Sequence, residues 1–402
     1  MLRFYDIKQA LSNLFFRGEN YVVIEILNHY VQVTLLSVSH NKKKIRIVKN
    51  YYKPVRELSV PVVLDKLKSI LRKIRKLEKY KVVLSLDSDL ATTIYAHIPL
   101  VRPHPKEIIN EADLDNIISQ AIWRFFDRNR FRVSKKLEID EIDVLLSDVR
   151  IRGIKLDGHK VVNPVGFKAK SVEVSFSQTL AGRELMKGIR ELISKDKIEL
   201  ITETGTAMSH VLSKALRTKD KFFVANLFPN HTAIFVASNN RVNHHNGFNW
   251  GEKDLHESLA DHFAVDPVTA RMIIQKHSEQ KTSKSFQRRF ENILHRELQI
   301  FANGIGALLG EDNPMVYLNP YFNAPPIIYS SRFQSRLEKP FKVSPLSTNI
   351  ITEKMGYDVQ YNKTLKVRNL FSVLSSFFEI NFLPQNSKMS HLANRRVRWL
   401  IN

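Results

Sequence analysis

Residues 21–38 concentrate β-branched side chains on either side of a short polar turn, Val22-Val23-Ile24 before it and Val31-Gln32-Val33 after it, which predicts strand, tight turn and strand. Residues 45–51 add a third strand. The pattern then changes period: over residues 62–77, Val63, Leu67, Ile70, Leu71 and Ile74 fall on one helical face and the lysines and arginines on the other. Residues 81–86 return to strand, so the opening 86 residues read as a sheet carrying an amphipathic helix, the first half of an α/β domain. Pro103 and Pro105 precede a helix predicted over 106–128, followed by strands over 141–146 and 149–156. Asp157-Gly158 is a hairpin signal between 152–156 and 160–162, and Asn163-Pro164-Val165-Gly166 is a second turn before the alternating strand 171–176. Helices over 180–192 and 207–216 bracket a short strand, 198–202.

The second half repeats this order. Strands over 221–225, 232–237 and 241–248 lead into helices from Glu252 onward, a long helical stretch over 286–309 and a strand over 315–318. Segments marked by Pro325-Pro326, Pro340 and Pro345 follow, and past Pro384 the chain reads as a linker and tail. Two related meanders, each followed by helices, predict a duplicated two-lobed α/β architecture.

With 43% hydrophobic residues in 402, the chain can bury real cores, and the absence of cysteine removes disulfide and thiolate-metal chemistry and fits a reducing, cytoplasmic setting. No uncharged apolar run is long enough to span a bilayer, and residues 1–20 lack the apolar core of a signal peptide. Lys plus Arg outnumber Asp plus Glu by 62 to 40, a formal charge of +22 that attracts polyanions: nucleic acid, anionic lipid or an acidic partner. The excess concentrates in residues 42–81, where 15 basic residues face 3 acidic ones. A solvated helix face and hairpin tip would account for that run equally well. Nucleic acid is the weaker expectation, because no motif interleaves aromatic and basic residues.

The stretch from Leu146 to Phe176 carries an Asp-Gly hairpin (Asp157, Gly158), a spacer, Asn163-Pro164-x-Gly166 and the apolar-Glu pair Val172-Glu173, with Phe167 where Met is usual. In order and spacing this resembles the insert subdomain of FtsA, the actin-like bacterial cell-division family. Gly251 with the helix after it, and Ala264-Val265-Asp266-Pro267 with the next, resemble the family's second lobe. The resemblance covers most of residues 21–318. It implies an actin-like (ribonuclease H-like, duplicated) fold: residues 1–90 and 181–217 as the first lobe, 91–180 as an FtsA-type insert subdomain, 218–375 as the second lobe and 376–402 as linker and amphipathic tail.

Actin-like ATPases hold phosphates on two glycine-rich hairpins, with aspartates placing magnesium and the attacking water. Here the first loop corresponds to Glu25-Ile26-Leu27-Asn28, with Leu for Gly, and the second to Asn226-Leu227-Phe228-Pro229-Asn230-His231-Thr232-Ala233, without glycine or aspartate. The third landmark, a Gly-Gly turn, falls at Asn319-Pro320. The expectation is a pseudo-ATPase: no enzyme, no catalytic residue, no metal, and no cofactor unless the altered loops still bind ATP and magnesium. Glu25, Asn28, Asn226, Thr232 and Gly251 are the candidates for residual nucleotide contact. Adjacent His244 and His245 would point to opposite faces of a strand and cannot chelate together. Asp87-Ser88-Asp89 reads as a loop-end cap.

At the C-terminus, Leu392, Val397, Trp399, Leu400 and Ile401 share a helical face, with Arg395 and Arg398 opposite and Arg396 inside the apolar arc. This suits an amphipathic helix on an anionic membrane, as FtsA proteins have, or a helix docked on the protein's own core. Ile380-Asn381-Phe382-Leu383-Pro384 resembles the segment with which PilN, a pilus-assembly membrane protein, docks on the FtsA-related PilM. Two functions follow from the resemblances. One is an FtsA-like scaffold tethering a tubulin-type division filament to the inner membrane at the septum, with self-association. The other is a PilM-like platform for type IV pilus or secretion assembly, partnered by pilus membrane proteins. Either implies a cytoplasmic protein peripheral to the inner face of the cell membrane.

Overall fold

A computed structural model describes residues 18–382 except 40, 42, 57, 239–240, 279–281, 310–313, 336–340 and 363. The chain divides into two units, one of residues up to Ala207 together with those from Ile351, the other of Met208–Ile350.

In the first unit, β1 (Gly18–Leu27), β2 (Tyr30–Ser39) and β3 (Lys44–Pro54) form the antiparallel meander, and α1 (Val60–Leu71) crosses to β4 (Lys81–Leu86), which pairs parallel to β1. The nearly continuous burial of β1 and β4 follows from apolar cover on both faces. On one face, Val22, Ile24 and Ile26 pack with Val63, Leu67 and Ile70 of α1. α1 stops at Leu71, short of the predicted 77: Lys73 and Ile74 bond three residues back, to the Ile70 and Leu71 carbonyls, and the chain then turns through Lys76 at φ +59° before β4.

An insert then leaves the sheet. β5 (Ala91–Val101), α2 (Glu111–Leu137), β6 (Val144–Leu156), β7 (His159–Val161) and β8 (Ser171–Gly182) build a four-stranded antiparallel sheet in the order β5-β8-β6-β7, with α2 packed on it. α2 starts later and runs further than the sequence suggested. Asn110 and Asp113 form a reciprocal cap, and Val133 and Leu137 extend the buried face until Glu138 turns left-handed. The two strands expected over 141–156 are one, β6, kinked by irregularities at Leu146/Asp148 and Ile151/Gly153. The Asp157-Gly158 hairpin forms as read, both residues at positive φ.

α3 (Arg183–Leu192) leads back to β9 (Ile198–Glu203), parallel to β4, and α4 (Thr204–Leu216) follows. In the second unit β10 (Phe222–Leu227), β11 (Thr232–Ser238) and β12 (Arg241–Phe248) repeat the meander. α5 (Glu252–Phe263), α6 (Pro267–Ser278) and α7 (Lys284–Leu309) precede β13 (Met315–Pro320), parallel to β10. After α8 (Ser331–Gln334), β14 (Lys342–Pro345) pairs parallel to β13. The sheet order β12-β11-β10-β13-β14 repeats β3-β2-β1-β4-β9 of the first unit, so the duplication read from the meanders extends to the whole sheet.

After α9 (Asn349–Met355), the chain goes back to the first unit, whereas the sequence assigned residues up to 375 to the second lobe. β15 (Asp358–Tyr361) pairs parallel to β3 as an extra edge strand, and α10 (Leu370–Phe378) lies against β1 and β4. Tyr21 and Phe377 meet edge to face at 5.0 Å. Residues 376–382, read as linker, continue α10 through a short helical turn, Glu379–Phe382. The proposed membrane helix, Leu392 to Ile401 with Arg395, Arg396, Arg398, Trp399 and Leu400, lies outside the described residues. Among the described residues, no helix is long and apolar enough to cross a membrane.

Candidate functional site

The β1–β2 hairpin closes in two residues, Asn28 and His29. The Asn28 amide donates to the buried Asp87 Oδ2 at 3.1 Å, and the Asp87 amide donates to the Ile26 carbonyl at 2.9 Å, so the turn is tied to the end of β4. Leu27 is fully buried. Glu25 does not face an open loop. It sits opposite Gln32 in the β1–β2 ladder, accepting from Gln32 Nε2 at 2.9 Å and from the Ser372 hydroxyl of α10. Burial pushes its carboxyl up to about 7, against those two hydrogen bonds, which lower it. A carboxyl that is half protonated near neutrality, with both oxygens engaged, is a poor ligand for magnesium.

The β10–β11 hairpin is closed differently. Phe228 is 2% exposed, and its ring stacks on both His231 and Tyr321, centroids 4.7 Å from each. Its amide donates to the His231 carbonyl at 2.9 Å, and Pro229 has no amide. The turn carbonyls point to the start of α5: Glu252 N donates to Phe228 O at 3.3 Å and Lys253 N to Pro229 O at 2.8 Å. A helix N-terminus is a ready anion site because its first amides lack partners. At α5 the hairpin's own carbonyls take two of them, and Asp254 accepts from the Gly251 amide at 2.8 Å. Gly251 is required by this fit, since a Cβ there would stand 2.3 Å from the Phe228 carbonyl oxygen.

The other candidates in this unit are also engaged. Asn226 Oδ1 accepts from Asn319 Nδ2 at 2.9 Å, joining the second loop to the third landmark on the adjacent strand. Thr232 donates to the Trp250 carbonyl at 2.9 Å. The structure thus brings Asn226, Asn319, Thr232 and Gly251 into one buried neighbourhood at the ends of β10, β11 and β13. Glu25 and Asn28 belong to the first unit. His244 and His245 face opposite ways, His244 edge-on to Phe235 at 5.3 Å and His245 bonded to the Leu308 carbonyl at 2.9 Å.

In the insert, the residues that carried the family resemblance build turns. Asp157 accepts from the Lys170 amide at 3.0 Å, the Ser171 amide at 2.7 Å and the Ser171 hydroxyl at 3.1 Å, and these backbone bonds lower its pKa. Asn163 accepts from the Val165 amide at 3.1 Å, and Gly166 takes φ +94°.

Sequence reading missed a polar latch. Arg152 of β6 pairs with Glu379 at 3.0 Å and covers the Tyr95 ring at 5.1 Å, while the Tyr95 hydroxyl donates to Glu379 at 3.4 Å. The side chains of Arg152 and Glu379 are 15% and 2% exposed. Glu379 was findable: it is the single charge within the stretch LFSVLSSFFEINF, and a lone acid in such a run needs a buried partner. The latch fastens the turn after α10, where Ile380-Asn381-Phe382 begins, to the insert sheet.

No family model matches the chain, and no curated protein matches it. Solved structures do. A chain of the PilM–PilN type IV pilus biogenesis complex aligns with a TM-score of 0.50 at 14% identity, covering 94% of this chain and 98% of that one. The ethanolamine utilization protein EutJ of Carboxydothermus hydrogenoformans aligns at 0.36 and 11% identity, covering 89% of each chain. A Bacteroides thetaiotaomicron VPI-5482 protein described as having an actin-like ATPase fold aligns at 0.37 and 9% identity, covering 89% of this chain and 95% of that one. The duplicated sheet order and the likeness to the PilM–PilN structure give this chain an actin-like fold.

Proposed function

We propose that the chain is a PilM-like, actin-fold platform for type IV pilus or secretion assembly, working on the inner face of the cell membrane as a scaffold. The observation that carries this reading is the latch: Arg152 and Tyr95 of the insert hold Glu379 at the head of the Ile380-Asn381-Phe382 segment. That segment opens the stretch Ile380-Asn381-Phe382-Leu383-Pro384, which resembles the one with which PilN docks on PilM, so here a stretch of the chain itself would take the partner's seat. The likeness to the PilM–PilN structure covers 94% of this chain, which supports the same assignment. Membrane attachment through Leu392 to Ile401 belongs to this proposal.

The hairpins support a platform without ATP turnover. Phe228 and Pro229 occupy one phosphate turn, and Leu27 with a buried Glu25 occupies the other. Calorimetric titration with MgATP should give no heat; magnesium-dependent micromolar binding would overturn this part. The partner is tested in cells by placing a photoreactive residue at the exposed Val162 of the insert. Cross-linking to an inner-membrane pilus or secretion protein is expected. Cross-linking to a tubulin-type filament would instead support the FtsA-like division scaffold, which the Asp157-Gly158 and Asn163-Pro164-x-Gly166 turns favour.

A further inference from the structure

The strand registers gather basic residues scattered in sequence onto one end of the first unit's sheet. Gly18 at the start of β1 lies opposite Ser39, and β3 begins at Lys44 beyond the β2–β3 turn. Lys81, at the start of β4, lies opposite Tyr21, and Val82 lies opposite Ile198, where β9 begins. α1 ends at this same edge, because it must deliver the chain to Lys81. The end opposite the β1–β2 turn therefore carries exposed Lys43 and Lys44 from one turn and exposed Arg72, Lys73, Arg75, Lys76 and Lys79 after α1. The acids beside them are few. Glu19 is paired to Lys81 at 3.1 Å, and Glu78, Asp196 and Asp358 are exposed.

We propose that this basic sheet end is a second peripheral contact with an anionic lipid surface, separate from the C-terminal tail. Its chemistry suits a diffuse negative plane. The lysines and arginines sit on turns and beyond a helix C-terminus, whose carbonyls repel a bound phosphate, so attraction comes from the summed charge. Nucleic acid is the poorer fit, because the one aromatic ring among residues 72–81, Tyr80, is half-buried against the core below α1.

Co-sedimentation of the full chain tests this with phosphatidylcholine vesicles, with and without phosphatidylglycerol. The probe variant is R72E/K73E/R75E/K76E. A control on the insert, K106E/K160E/K168E/K170E, changes the net charge equally. Each basic residue near an anionic surface contributes roughly fivefold to binding, so the sheet-end variant should lose at least about a hundredfold in partition, and the control much less. The four-glutamine variant at the same sites should show an intermediate loss with an unchanged unfolding midpoint, which separates lost contact from lost fold. Equal vesicle binding by the sheet-end variant and the wild type overturns the proposal, as does equal loss in both reversal variants. Tighter binding of duplex DNA than of anionic vesicles at matched salt also overturns it. No pilus or division partner is present, so the result is independent of the partner assigned above.

Discussion

The β1–β2 and β10–β11 hairpins occupy equivalent places in two sheets of the same strand order, yet they are closed by different physics. In the first unit the closure is polar and long-range: Asn28 on Asp87, Glu25 on Gln32 and on Ser372 of a helix that arrives near the end of the chain. In the second it is aromatic and local, a Phe228 ring stacked on His231 and Tyr321 with the turn's carbonyls on α5. A repeated sheet order needs only its apolar alternation, so the turn at each equivalent position is free to be filled by whatever satisfies its own backbone and burial.

The sharpest way to break this comparison is Phe228→Ala. Removing a buried, doubly stacked ring should cost about 3–5 kcal/mol, read by chemical denaturation; a loss under ~1 kcal/mol would mean the second hairpin is not core-like. On the polar side, Arg152→Ala leaves Glu379 buried without its cation and should cost about 3 kcal/mol. Adding Glu379→Gln should recover part of it, and no recovery would show that Arg152 matters for packing on Tyr95 alone. Gly251→Ala sets a Cβ against two turn carbonyls and should cost about 1–3 kcal/mol in the same assay, while the equivalent test in the first unit has no glycine to use.

A pH-dependent effect concerns Glu25 and has a sign. Its carboxyl is raised from 4.5 to about 7 by burial, so its stabilising contribution is complete below pH 4.5 and is lost as pH rises through 7. The slope from this one group is at most ~1.4 kcal/mol per pH unit. Glu25→Gln should flatten the difference in unfolding free energy between pH 5 and pH 8; an unchanged difference would place the titration elsewhere.

Much of the frame was legible. Apolar, β-branched runs beside turn residues located β1 to β4 and β10 to β13, and Asp157-Gly158 located its hairpin, because these signals are local. Helix ends were misplaced where a cap decided them, as with Asn110 and Asp113 of α2. The return of the chain from Ile351 was not legible: β15 is four residues long and largely exposed, and nothing within it names β3 as its partner. The candidate site divided in the same way. Leu27, Phe228 and Pro229 announce altered turns by residue type alone. Glu25 reads as a degenerate phosphate ligand until Ser372, 347 positions away, is seen bonded to it. The Arg152–Glu379 pair joins two stretches that carry no shared motif.

β15 also sets a timetable. The second unit is encoded wholly between β3 and the strand that pairs with it, so during synthesis the outer edge of β3 waits from Pro54 to Asp358. At about 5–20 residues per second, that interval is on the order of 15 to 60 s. Through it the nascent first sheet has an unpaired edge and a Glu25 not yet met by Ser372, so a ribosome pause within the second unit would lengthen the time that β3 stays open to the wrong strand.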